Sequence, residues 1–167
     1  MNQPPSGGFL LPAMKTIPIR DSLSVITVDD EDYDRASSIT WWLNCHERPV
    51  GRVEKRSVYF HRFLLGLGNK PRDGSFIDHR NGDPLDNRRA NLRVCTRAQN
   101  MQNQGRQRTN RSGFKGVYIH KRTGSPVAVI RYFGKKKHLG VFETPQLAHE
   151  FYCLAADMVH GDFANHG

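Results

Sequence analysis

Apolar and polar positions alternate in short bursts through the first half of the chain. Residues 24–28, 39–43, 50–53 and 57–60 are rich in β-branched or aromatic side chains and bounded by turn formers, which predicts four short strands. The acidic run 29–34 between the first two reads as the start of a short helical turn, and 61–65 as a short helix or turn. Trp41 and Trp42 are adjacent, so a strand sends them to opposite faces, one into the core and the other over a loop or toward a partner. A strand over 75–79 ends in Asp78-His79, a polar loop with Asn81-Gly82 and Pro84 follows, and 92–95 is the return strand. Thr96-Arg-Ala-Gln99 has the form of a capping box, so a helix starts at Arg97 and carries Asn100 in its first turn.

Residues 104–113 contain no apolar side chain and read as a linker. Beyond them, 114–120 and 126–132 are predicted strands joined by a turn at 122–125, and 134–137 turns into a third strand over 138–142. Alternation puts Val117, Ile119, Ala128, Ile130 and Tyr132 on one face, with Tyr118, His120, Val129 and Arg131 on the other. Thr144-Pro145 opens a helix that Gly161 stops. Its Leu147, Phe151, Leu154, Ala155 and Met158 form one continuous apolar face, expected to cover the sheet. The fold class is therefore α+β. The expected divisions are a loosely ordered leader at 1–16, a first module at 17–103, the linker, and a second module at 114–167.

Charge changes this picture more than composition does. The net charge is +9, yet all of the excess lies between Asn87 and Phe142, where 14 Lys and Arg occur without a single carboxylate. A solvated face normally mixes signs, so such a block points to a polyanion, nucleic acid first. No apolar run approaches the ~20 residues of a membrane span, and the start lacks the plan of a signal peptide. Three well-separated cysteines fit neither a disulfide framework nor a zinc site, so a soluble protein of a reducing compartment is expected.

Asp78, His79, Asn91 and Asn100 suggest chemistry to go with the charge. Cutting a phosphodiester needs an activated water and a cation at the phosphate; a histidine is a suitable base near neutral pH. A hard cation accepts as few as two protein oxygens and keeps several waters, which Asp78 and Asn100 suffice to supply. Neighbouring strand residues point apart, so Asp78 faces the metal and His79 the water or the phosphate. Asn91 is placed to pin the imidazole.

Residues 77–94, followed by Ala98-Gln-Asn100, resemble the HNH endonuclease motif of phage and mobile-element nucleases, and His61-Arg62 resembles that family's upstream segment. The resemblance implies a ββα-metal (His-Me finger) module preceded by β-strands. It makes His79 the general base, Asp78 a metal ligand, Asn91 the residue that orients the base, and Asn100 the last metal position. Asn in place of the commoner His there gives an HNN pattern, found in homing nucleases that nick one strand. His61 and Arg62 are supporting residues. The implied cofactor is Mg²⁺, with Mn²⁺ as the alternative, and no small-molecule cofactor.

Phe114-Lys-Gly-Val117, Val127-Ala-Val-Ile-Arg131, Leu139-Gly-Val-Phe-Glu-Thr144 and Ala155-Ala156 resemble the AP2/ERF DNA-binding domain, a three-stranded sheet packed on one helix. Its contacting positions fall on Lys115, Tyr118, His120, Arg131, Lys136 and His138. Arg122 borders the same face, and Arg106, Arg108 and Arg111 of the linker are expected along the DNA backbone. Tyr118, His120 and His138 stand where that family has Arg and Trp, and Val129 where it has an acid, so its target site does not transfer.

These readings make the chain a site-preferring endonuclease of double-stranded DNA, monomeric, working in the cytoplasm or nucleoid of a bacterial or phage-infected cell. The alternative is a non-catalytic DNA-binding regulator with the HNH fold as scaffold. An RNA-binding protein rests on charge alone.

Overall fold

The computed structural model describes residues 13–68 and 74–167. The described residues form two units, one of residues 13–68 and 83–93, the other of 74–82 and 94–167. Residues 74–82, with Asp78 and His79, count with the C-terminal sheet and helix.

In the first unit, β1 (Met14–Pro18) pairs antiparallel with β2 (Val25–Asp29), placing Ile17 opposite Ile26. Both side chains are buried, as is Val28. β1 overlaps the stretch expected to be leader. Its single inward residue, Ile17, is too faint an alternation signal to read unaided. The remainder of that leader, residues 1–12, lies outside the described residues.

The acidic run is a full helix, α1 (Asp30–Ser37), followed by the sheet β3 (Trp41–Leu43), β4 (Pro49–Val53) and β5 (Arg56–Tyr59) and by α2 (Phe60–Leu64). Trp41 is the core member of the tryptophan pair. Its ring meets Phe60 edge-on at 4.5 Å, and its indole N–H donates to the Ala36 carbonyl at 2.8 Å. Gly51 makes room for it, because a Cβ there would stand 2.6 Å from the ring. Trp42 is half-buried beside Arg20 and Arg52.

In the second unit, β6 (Phe76–His79) leads off, and it forms a two-stranded sheet with β7 (Leu92–Cys95), whose Val94 and Cys95 belong to the same unit. α3 (Arg97–Asn103) follows, opened by the expected capping box of Thr96 and Gln99. β8 (Val117–Ile119), β9 (Pro126–Tyr132) and β10 (Lys135–Val141) make an antiparallel sheet in the order β10-β9-β8. α4 (Pro145–His160) covers it, capped by Thr144 and ended by Gly161. Among the described residues no helix is long and apolar enough to cross a membrane.

Two expectations change here. Lys135–Lys137 belong to β10 rather than to a turn; the turn is Phe133-Gly134 alone. The face of α4 that meets the sheet is Ala148, Tyr152 and Ala156, while Leu147, Phe151, Leu154 and Met158 are exposed, Met158 at 86%. The cause is close approach. Ala148 packs on the paired Val117 and Ala128, and Ala156 lies beside Ile130, so short helix side chains stand against this part of the sheet. Tyr152 fits because Gly116 lacks a side chain: a Cβ there would sit 2.0 Å from the ring. Ile119 and Tyr132, expected on the buried face, are more than a third exposed at the ends of their strands.

Candidate functional site

β6 delivers Asp78 and His79 at its end, both buried. The His79 carbonyl closes the turn that follows, accepting from the Gly82 N–H at 2.9 Å. Gly82 has φ +76°, which the Asn-Gly pair at this turn suits. The capping box fixes where α3 starts, and with it the helix phase, so Asn100 and Asn103 fall three residues apart on one face.

Asn103 is the residue that reaches Asp78. Its amide donates to Asp78 Oδ1 at 3.0 Å and to the His79 carbonyl at 2.8 Å, in a setting where Asn103 is itself buried. The amide's two N–H groups thus tie a carboxylate to the backbone of its neighbour. Sequence reasoning misses Asn103; the signal for it is its i,i+3 relation to Asn100. Asn100 is half-buried, and its side chain makes no hydrogen bond among the described residues. Among the described residues no group of three or more His, Cys, Asp or Glu is placed to hold a metal ion.

The far end of α3 is held by the C-terminal module. Lys115 Nζ donates to the Gln102 carbonyl at 2.9 Å and to the Asn165 carbonyl at 2.8 Å, and the Asn165 amide donates to the Asn103 carbonyl at 2.8 Å. These bonds satisfy carbonyls that a helix end leaves open. Lys115 was expected to face DNA, but its side chain turns inward instead, and burial pushes its ammonium down to about 8. Bonded to one carbonyl of α3 and one of the C-terminal segment, it is a brace for the helix that carries Asn103.

In the first unit, Asn91 donates from its amide to the Asp86 carbonyl at 2.7 Å, closing the loop that precedes β7. That loop is pinned to β2 by the Thr27 N–H on the Leu85 carbonyl and the Asn87 N–H on the Thr27 carbonyl. Arg89 completes the anchorage. Its backbone N–H donates to Asp29, and its guanidinium takes both oxygens of the buried Asp32 at 2.7 and 2.8 Å. His61 is buried and stacked on Tyr59 with ring centroids 5.6 Å apart. Arg62 is buried too, its Nε donating to the Gly68 carbonyl, which ties down the chain after α2.

The outer face of the second unit's sheet gathers the remaining candidates. Cross-strand pairing sets Arg131 beside Lys136 and Val129 beside His138, with Tyr118 on the same face. Lys136 Nζ lies 4.5 Å from the centre of the Tyr118 ring. His120 and Arg122 are in the turn beyond β8, where His120 Nδ1 sits 3.0 Å from Thr123 Oγ1. The linker is not loose. Asn110 and Ser112 bond the Phe114 and Val117 carbonyls, so Arg106, Arg108 and Arg111 stand exposed on a docked segment. A groove of about 1050 Å³ runs along this side, lined among others by Arg97, Arg106, Tyr118, Arg131, Phe133 and Lys136.

No curated protein and no solved structure matches the chain. The model of the HNH endonuclease family matches residues 58–102, so the span that holds His61, Asp78, His79, Asn91 and Asn100 is similar to an HNH endonuclease domain.

Proposed function

We propose that this chain is a metal-dependent DNA endonuclease that nicks one strand at preferred sites. What carries the reading is the pairing of Asp78 and His79 at the end of β6 with the helix bearing Asn100 and Asn103, together with the family match over 58–102, which ends one residue before Asn103. His79 takes the proton of the attacking water on its imidazole. Asn103 is a positioning residue, holding the Asp78 carboxylate and the His79 backbone in one arrangement. Asn91 positions through the loop that it closes.

The donor set suits a hard divalent cation: a buried carboxylate on β6 and, on α3, an amide oxygen with no competing hydrogen bond, leaving sites for water. Asp78 and Asn100 would hold Mg²⁺ or Mn²⁺, whose chemistry here is to stabilise charge at the scissile phosphate. The AP2-like sheet anchors the enzyme through Tyr118, Arg131, Lys136 and His138, assisted by His120, Arg122 and the three linker arginines. Its phosphate contacts provide affinity, and Arg131 is the residue placed to read base edges.

Supercoiled plasmid tests the reading. Wild-type protein with Mg²⁺ should convert it to open circles without a linear product, and EDTA should stop the reaction. His79→Ala should slow the conversion by about 10²–10⁴-fold, the usual worth of a general base. Unchanged nicking by His79→Ala would remove the proposed base. Tight DNA binding with no cutting under any divalent metal would make the chain a regulator.

A further inference from the structure

The turn between β9 and β10 consists of two residues, Phe133 and Gly134, both with positive φ, 46° and 72°. Two-residue hairpin turns of this kind favour Asn-Gly, because Asn tolerates the left-handed region and is at home in water. Phenylalanine is poorly suited on both counts. Its Cβ is strained at positive φ, and its ring is 84% exposed. Folding explains neither choice, since Asn would serve the turn better.

The surroundings say what the ring meets. Arg131, Lys135, Lys136 and Lys137 flank the turn, and Phe133 borders the same groove as Arg131, Lys136 and Tyr118. The tip is also braced: Arg131 Nη1 donates to the Gly134 carbonyl at 3.2 Å, and the Tyr132 ring packs against Phe133 with centroids 4.3 Å apart. A stiff, exposed aromatic amid cations cannot itself bind phosphate. It can enter the base stack once the cations have brought the backbone close.

We propose that Phe133 is a wedge that inserts between base pairs and kinks the duplex held on the sheet. The inference rests on the DNA-binding reading above and adds a deformation to it. The cations provide affinity, and the wedge provides shape, so steps that unstack easily would be preferred sites.

Ligase-driven circularisation of a linear duplex of about 120 bp, shorter than the persistence length of DNA, measures kinking without knowledge of the target. The full chain is used in a His79→Ala background so that the ligase's Mg²⁺ does not lead to cutting. At saturating protein, circle yield should rise about tenfold over free DNA. Adding Phe133→Asn should return the yield to the protein-free level, leave duplex binding in place, and give a melting temperature equal or higher. Phe133→Leu, which keeps an apolar wedge, should retain most of the gain. Circle yield unchanged by Phe133→Asn overturns the wedge while the DNA-binding reading stands. Loss of duplex binding with Phe133→Asn also overturns it, making the ring an affinity determinant. Failure of the parent chain to bind duplex overturns both.

Discussion

The two units differ in how their cations are paired. In the first, four guanidinium groups answer to oxygens of their own fold. Arg88 pairs with Asp86 at 2.7 Å, Arg89 with Asp32 and Glu31, Arg35 with Asp32 and the Leu64 carbonyl, and Arg62 with the Gly68 carbonyl. In the second, no Lys or Arg between Arg97 and Lys137 makes a salt bridge among the described residues. Among the described residues, Arg131 and Lys136 have only a turn carbonyl and an aromatic ring as partners. A cation paired with a buried carboxylate belongs to the architecture, whereas one left beside neutral groups stays available for a phosphate. The carboxylate-free block therefore combines two populations, and its first two arginines serve the fold.

The contrast breaks most readily at Arg89. Arg89→Met leaves Asp32, 2% exposed, with Arg35 as the cation near it, and removes the link between α1 and the loop that Asn91 closes. Because Arg89 is itself half-exposed and Arg35 stays beside Asp32, the loss should be about 1–3 kcal/mol, read by chemical denaturation. If the loss is below about 0.5 kcal/mol, comparable to an ordinary surface change, Arg89 belongs with the available cations instead.

The converse holds on the sheet. Arg131→Ala combined with Lys136→Ala should leave stability within about 0.5 kcal/mol, because neither side chain is buried. Duplex affinity should fall, and the slope of log K against log salt should shallow by about 0.9 for the one phosphate that Lys136 no longer neutralises, while loss of Arg131 should weaken site preference. An unchanged slope would place the DNA path elsewhere on the molecule.

Much of this division is legible in the sequence where local rules act alone. The α3 capping box, the β9 span and the cap of α4 follow from a few adjacent residues, and so does the Asp78-His79 strand end. What escapes depends on partners far along the chain. The pairing of Arg89 with Asp32 joins residues 57 apart, and nothing near either one announces it. Lys115 sits in a basic block yet caps α3 through carbonyls, which carry no sequence signature. The inward face of α4 differs from the expected one because size, not hydrophobicity alone, decides which stripe fits against the sheet. Phe133 is silent in the sequence because an apolar residue before Gly looks like a strand end until its φ is known.

Lys115 supplies the finest test of the contrast, since it lies in the basic block but behaves as a residue of the first kind. Burial holds its amine near 8 in the folded protein against an ordinary value of 10.5. Between those values the unfolded chain binds the proton and the folded chain does not, so this group makes stability rise with pH above about 8. Below that both forms are protonated and the slope vanishes. Cys153 and Tyr152, both pushed up by burial, oppose the effect once their own unfolded ranges are reached. The window of about pH 8–9 therefore isolates it best. Wild type should gain thermal stability relative to Lys115→Met as pH rises through that window, by a small margin because the amine is partly solvated. A difference that stays flat would mean that Lys115 keeps its proton, held by the Gln102 and Asn165 carbonyls, and braces α3 as a full charge.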